Sequence, residues 1–338
     1  MILDAVRAAV ARPTGSVDVL THLAADDIAE VNAIIVARMQ SPVAVIPMLA
    51  DHLINAGGKR LRPLLTVASA RLAGARDDAC LKLAAAVEFI HTATLLHDDV
   101  VDSSQLRRGK VAAHLIWGAP SSVLVGDFLF AKAFELMVEA GSMKALDILA
   151  KAAGVIAEGE VLQLTRAHDL NLSQDVYLQI IGAKTAELFA AAAEAGAVSA
   201  GAPEHQIQAM RDYAMNLGLA FQLADDALDY GGATEALGKN AGDDFREGKA
   251  TLPLLLAIAR TGAAETAFWE RTIGRREQTD ADFVRAIELI RGTGSLESTL
   301  DLAADFAAKA KTALSPMTSN SWRVALEDLA DFAVSRRT

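Results

Sequence analysis

Residues 88–110 read EFIHTATLLHDDVVDSSQLRRGK. No Gly or Pro appears before Gly109, and Leu95, Leu96, Val100 and Val101 surround the acids, so the stretch predicts one long helix running into a loop. Asp98 and Asp102 stand four apart and share a helix face, with Cβ atoms about 5–6 Å apart; Asp99 points partly aside. Three carboxylates on an apolar helix repel one another unless a cation sits between them. Oxygen-only donors suit Mg²⁺, which keeps several waters and is completed by substrate phosphates. Arg107 and Arg108 follow, and guanidinium forks bind phosphate oxygens in a bidentate manner. Carboxylates for a metal, then arginines for phosphate, point to a metal-bridged diphosphate site. The competing account is a solvated acidic patch at a helix end. A second copy weighs against it: Asp225, Asp226 and Asp229, in FQLADDALDY, repeat the spacing in another apolar helical segment, where unpaired carboxylates are costly.

Outward from these copies, the chain of 338 residues is 52% hydrophobic but only 5% aromatic. Plentiful alanine favours helix, and no alternating β-branched run reads as a strand. The expectation is one all-α domain over residues 1–338, with no linker. A formal net charge of −11 argues against a nucleic-acid partner. The single cysteine, Cys80, rules out an intrachain disulfide and fits a reducing cytoplasm. Residues 1–11 are interrupted by Asp4 and Arg7 and do not read as a signal peptide. The longest uncharged stretch, 111–126, is too short and broken to span a bilayer; weak peripheral membrane contact stays open.

The expected helices run to about Met39, from Pro42 to Asn55, over 61–73, through the first acidic copy, over 119–141 and 143–169, over 173–200 and over 204–230. Between two of them lies AGGKRLRP, residues 56–63. Gly57 and Gly58 let the backbone approach a ligand, and Lys59, Arg60 and Arg62 place cations beside them. This reads as an anion cradle, against the alternative of a basic loop that neutralises a helix C-terminus. His91 lies seven residues before Asp98 and shares its face; His97 does not and is expected to be structural. Glu158 and Glu160 are expected to be solvated. Lys184 and Thr185 interrupt an apolar helix in GAKTAELF, either snorkelling or bringing a cation and a hydroxyl to a phosphate. Residues 237–255, LGKNAGDDFREGKATLPLL, are too dense in charge for a mere connector.

Five segments in order, GGKRLRP, HTATLLHDDVVD with the following RRG, GAKT, FQLADDALD and GKNAGDDFREGK, resemble the trans-prenyl diphosphate synthases, or polyprenyl synthetases, over about Gly57 to Leu255. The resemblance implies an all-α isoprenoid-synthase-type bundle around a central cavity, usually a homodimer. It implies Mg²⁺, about three ions per site, held directly by Asp98, Asp102 and Asp225. Asp99, Asp226, Asp229 and Asp244 would support through water. Arg107, Lys184, Thr185, Gln222, Lys239 and Lys249 would hold an allylic diphosphate, and Lys59, Arg62, His91 and Arg108 isopentenyl diphosphate. Asp98, Asp102, Asp225 and Lys184 would carry the chemistry. A terpene cyclase would usually replace the second Asp motif and, like a head-to-head condensing enzyme, would not need the basic cradle. A non-catalytic lipid-binding helical protein would leave the paired motifs unexplained.

Product length is read from the same helix. Residues four and five before Asp98, about 6–7.5 Å deeper along the axis, are Thr94 and Ala93; short-chain members of the family commonly carry an aromatic ring at this level, so the resemblance implies an open tunnel and a product of about eight to ten isoprene units (about C40–C50), as in the quinone side-chain branch. Met137 and Leu149 are the candidate floor. The alternative is a shorter farnesyl- or geranylgeranyl-type product.

Overall fold

The computed structural model describes residues 17–54, 59–75, 77–231 and 242–335. Its helices are α1 (Asp18–Leu23), α2 (Ala25–Arg38), α3 (Val45–Ile54), α4 (Leu61–Leu72), α5 (Ala79–Val101), α6 (Ala113–Trp117), α7 (Ala119–Glu139), α8 (Met143–Thr165) and α9 (Gln174–Ile181). A π turn, Gly182–Ala186, joins α9 to α10 (Glu187–Ser199). Then come α11 (Glu204–Gly231), α12 (Asp243–Glu247), α13 (Leu252–Arg260), α14 (Ala263–Trp269), a second π turn (Glu270–Gly274), α15 (Asp280–Gly292), α16 (Ser295–Ala313) and α17 (Ser321–Ser335). The all-α expectation holds. Several boundaries differ: α3 opens at Val45 with Pro47 in its first turn, not at Pro42, α8 ends at Thr165 rather than at 169, the π turn interrupts the helix expected over 173–200, and a small hairpin follows the first acidic copy. In it β1 (Leu106–Arg107) pairs with β2 (Lys110–Val111), Arg107 opposite Lys110. Its two turn residues, Arg108 and Gly109, have φ of 52° and 76°. A two-residue hairpin loop of the I′ kind needs positive φ at both positions. No alternation announced this hairpin, because so few residues pair.

Helix α10 lies at the centre, against α4, α5, α8 and α11. Its run of alanines is buried from Ala190 to Ala193. Small residues let the backbones close in. A Cβ on Gly196 would lie 2.2 Å from the Thr66 carbonyl oxygen of α4, and one on Gly218 of α11 would lie 2.6 Å from Ala186 Cα. Helix α5 packs along α7, where His97 sits on Gly126 and bonds the Val123 carbonyl at 3.1 Å, the structural part expected of it. Helix α5 is long and apolar enough to cross a membrane, but most of it is buried within the bundle, which is where a core helix belongs.

This packing sets which side of α5 is free. From Ala79 to Ile90 nearly every residue is buried; then His91, Thr94, Leu95, His97, Asp98, Val100 and Asp102 are partly exposed and Val101 is exposed. Of these, His91, Thr94, Leu95, Val101 and Asp102 lie within about 60° of Asp98 around the helix, at about 100° per residue. Helix α11 offers a matching face: Phe221, Gln222, Asp225 and Leu228 are partly exposed while their neighbours are buried.

Candidate active site

On α5 the two outward carboxylates meet lysines carried by other segments. Lys249 Nζ lies 3.0 Å from Asp102 Oδ2, across 147 residues of sequence, and 2.5 Å from Glu247. Burial opposes the Lys249 charge, yet Asp102, Glu247 and Asp244 outweigh it and hold its pKa well above the usual lysine range. Lys184, in the π turn, lies 3.8 Å from Asp98. Its ammonium donates to Glu160 at 2.7 Å and Gln163 at 2.9 Å. Burial pushes the Asp98 carboxyl up, Lys184 opposes this, and Asp102 adds to it. The Glu160 carboxyl is raised in the same way, by burial first, with Asp98 adding and Lys184 opposing. Glu160 is therefore not the solvated residue expected. It is drawn in because α8 packs on the π turn so closely that a Cβ on Gly159 would lie 2.7 Å from Ala183 Cβ.

Asp99 turns the other way. It is 0% exposed and bonds both Nε, at 2.7 Å, and Nη2 of Arg107. It thus anchors the arginine hairpin; the support through water that the resemblance implies for it would have to come from this inward-facing carboxylate. Its Oδ2 is buried without a hydrogen-bond partner among the described residues.

The second copy is more enclosed. Asp226 is 3% exposed and accepts from the Tyr177 hydroxyl and, at 2.7 Å, from Gln222 Nε2. Gln222 Oε1 accepts from the Thr185 hydroxyl at 3.0 Å. Asp229 accepts from the backbone amides of Gly242 and Asp244, each at 3.2 Å, and so fixes the start of α12. Burial, with Asp244 adding, raises its pKa to about 7. Asp226 lies well above the carboxylate range for the same reasons. Asp225 and Asp244 are half-buried. Of the second triplet, only Asp225 is partly exposed; Asp226 and Asp229 are buried and brace protein groups.

The basic residues gather on the other side of His91. Arg62 Nη1 lies 3.2 Å from His91 Nε2, and its Cζ lies 4.4 Å from the Phe189 ring centroid. Burial lowers the Arg62 pKa to about 10 and also lowers that of Arg108. Burial, then Arg62, Arg108 and Arg107, hold His91 well below its usual pKa, so it is neutral among guanidiniums. Arg62 Nε is buried with no partner among the described residues. Arg60, with φ of 45°, pairs with buried Glu88 at 3.3 Å. Lys59 lies 4.0 Å over the Phe332 ring. Gly57, Gly58 and Lys239 lie outside the described residues.

The chain-length residues are placed differently from expectation. Ala93 has 0% exposure, as do its candidate partner Leu149 and, nearly, Met137. Ala93 lies about 140° around the helix from Asp98, in the packed interior of α5, so no open tunnel borders it. Thr94, about 40° away, is partly exposed and donates to the His91 carbonyl at 2.8 Å.

The polyprenyl synthetase family pattern matches residues 43–290. The chain belongs to the polyprenyl synthetase family. It is 44% identical over 317 residues to the octaprenyl diphosphate synthase of Escherichia coli strain K12, covering 94% of this chain and 98% of that protein. Among solved structures it is similar to a polyprenyl synthase from Caulobacter crescentus CB15 complexed with calcium and isoprenyl diphosphate: 76% identity, TM-score 0.94, covering 97% of this chain and all of the other. A decaprenyl diphosphate synthase from Rhodobacter capsulatus is 52% identical, with a TM-score of 0.92, covering 96% of this chain and 100% of that one. The chain is accordingly a prenyltransferase with the isoprenoid-synthase helical fold. The sequence does not single out Glu88, Gln163 or Tyr177 of this polyprenyl synthetase, and Glu160 reads there as solvated. Each acts through a partner more than twenty residues away, and no local spacing betrays such a pair.

Mg²⁺ fits this site on the chemistry of its donors. The outward groups are carboxylate oxygens, and ammonium groups already balance their charge. Mg²⁺ keeps several waters and takes phosphate oxygens to complete its shell; among the described residues no three His, Cys, Asp or Glu side chains converge on one point.

Proposed function

We propose that this polyprenyl synthetase, as one all-helical domain, condenses isopentenyl diphosphate head-to-tail onto an allylic diphosphate. The product is a long-chain all-trans polyprenyl diphosphate, about C40–C50 at five carbons per condensed unit, of the length used for quinone side chains; extended chains of that size need a buried apolar channel. The observation that carries this reading is the π turn that links two acidic helices, Lys184 lying 3.8 Å from Asp98 and Thr185 bonding Gln222 one turn before Asp226, beside a separate guanidinium cluster around His91. The octaprenyl and decaprenyl synthases named above support the long product.

Mg²⁺, when bound, supplies positive charge to the departing diphosphate. Asp98, Asp102 and Asp225 are the residues that would hold it. Lys184, Lys249, Arg107, Gln222 and Thr185 hold the allylic diphosphate oxygens, the lysines leaving their present carboxylate partners to do so. Arg62, Arg108 and Lys59 hold isopentenyl diphosphate, with neutral His91 against Arg62; Lys239 joins the allylic set. The allylic C–O bond breaks and its electron pair leaves with the diphosphate. The isopentenyl double bond attacks the allylic carbon, and a proton lost from the adjacent carbon passes to the released diphosphate. The apolar walls exclude water, which would otherwise trap the cation.

A second copy of the chain is the partner we assign to the apolar face of α6 and α7. Leu115, Ile116, Phe134, Leu124 and Val138 are exposed there, the last two at 66% each; contiguous exposed apolar surface marks interaction sites. The enzyme acts in the cytoplasm, with peripheral membrane contact as the route for product release.

The test is chromatography of the products made from a short allylic diphosphate, isopentenyl diphosphate and Mg²⁺. Long all-trans chains are expected, and Thr94→Phe, which places a ring on the Asp98 face, should shorten them. No condensation, or a farnesyl-length product from the wild type, would overturn the corresponding part.

A further inference from the structure

The second acidic copy is braced by a phenol that the chemistry above does not use. Tyr177 of α9 is 3% exposed, and its hydroxyl donates to Asp226 Oδ2 on α11. Asp226 Oδ1 accepts from Gln222 Nε2 at 2.7 Å, and Gln222 Oε1 accepts from the Thr185 hydroxyl at 3.0 Å. Asp226 accepts from both Tyr177 and Gln222, so the Gln222 amide turns its nitrogen to Asp226 and its oxygen to Thr185, which donates. Thr185 sits in the π turn beside Lys184, and Gln222 sits one turn before Asp226. The π turn is a local departure from regular helix of the kind found at working sites.

We propose that Tyr177 is a positioning residue for the allylic diphosphate. By locking Asp226 it orients the Gln222 amide and Thr185, and so sets the π turn carrying Lys184 in register with the helix carrying Asp225. The inference rests on the function proposed above. Without the phenol hydroxyl, Asp226 Oδ2 becomes a buried carboxylate oxygen lacking its donor, and the costliest polar defects are of that type. The Gln222 amide is then free to reorient, and the allylic pocket loses its order while the guanidinium cluster around His91 is untouched.

The test uses the full-length enzyme and the variants Tyr177→Phe, Thr185→Ala and Thr185→Ser. Each is measured for both Michaelis constants and for calorimetric binding of an unreactive thiolo analogue of a short allylic diphosphate with Mg²⁺. Tyr177→Phe and Thr185→Ala should weaken analogue binding and raise the allylic KM about tenfold, the usual effect of losing a hydrogen bond to a charged group. The isopentenyl KM should stay within about twofold. Thr185→Ser keeps the donor and should restore most of the analogue binding that Thr185→Ala loses. If Tyr177→Phe does not fold, Asp226→Asn, which weakens the acceptor of the phenol, carries the test with the same expected split between the two KM values. Equal changes in both KM values, or a lowered melting temperature with unaltered binding, would overturn the role of Tyr177. A wild-type enzyme that does not bind the analogue with Mg²⁺ would overturn the function and this inference together, whereas a binding wild type with unaffected variants overturns only the latter.

Discussion

In the first acidic copy Asp98 and Asp102 look outward at Lys184 and Lys249, and only Asp99 turns inward, to Arg107. In the second copy Asp226 and Asp229 both turn inward, to Tyr177, Gln222 and two backbone amides, leaving Asp225 with the half-buried outward position. The spacing is the same and the division of work is not. What differs is the continuation of the chain. After Asp102 it leaves in a hairpin that carries its own arginines. After Asp229 it folds back as α12, whose first amides need a carboxylate to receive them. Identical spacing therefore fixes which residues share a face but not which of them are left to a ligand.

That comparison can be broken by substitution. The largest effect belongs to the outward acids. Asp98→Ala and Asp225→Ala should each cost about 10³-fold in turnover, with the circular dichroism of the native helices retained; near-wild-type turnover in either would remove that acid from the outward set. Asp99→Asn should act through Arg107 instead. It is expected to raise the allylic KM about tenfold while changing turnover much less, and a loss like that of Asp98→Ala would place Asp99 among the outward acids after all. Glu160→Gln should release Lys184 towards Asp98 and raise the allylic KM about threefold, with little change in the isopentenyl KM. At the small end for activity stands Gly196→Ala, far from both copies. Its Cβ would meet the Thr66 carbonyl at 2.2 Å, so stability should fall by about 1–3 kcal/mol in a denaturant melt, with both KM values unchanged.

Much of this was legible beforehand. Periodicity and glycine placement give the long helices, because the apolar face of each is written in consecutive residues. The two acidic triplets emerge from spacing on those helices, the choice of Asp98, Asp102 and Asp225 within them from the family resemblance, and Arg62 with His91 from cations and a histidine that the fold brings to 3.2 Å. The rest depends on pairs distant in sequence. Asp99 could not be separated from Asp98 until the Arg107 hairpin closed over it, and Glu160 read as solvated until α8 met the π turn. Ala93 was judged by its depth along α5 alone. Its rotation around the helix puts it in the core, where small size serves packing rather than a tunnel.

The central claim is that one diphosphate is held jointly by outward acids from both copies. The measurement that addresses it most directly is calorimetric titration of an unreactive allylic diphosphate analogue, with Mg²⁺, into the wild type, Asp98→Ala and Asp225→Ala. The account predicts Mg²⁺-dependent binding in the wild type and a loss of more than about tenfold in each variant. Binding at wild-type strength by either variant would contradict it.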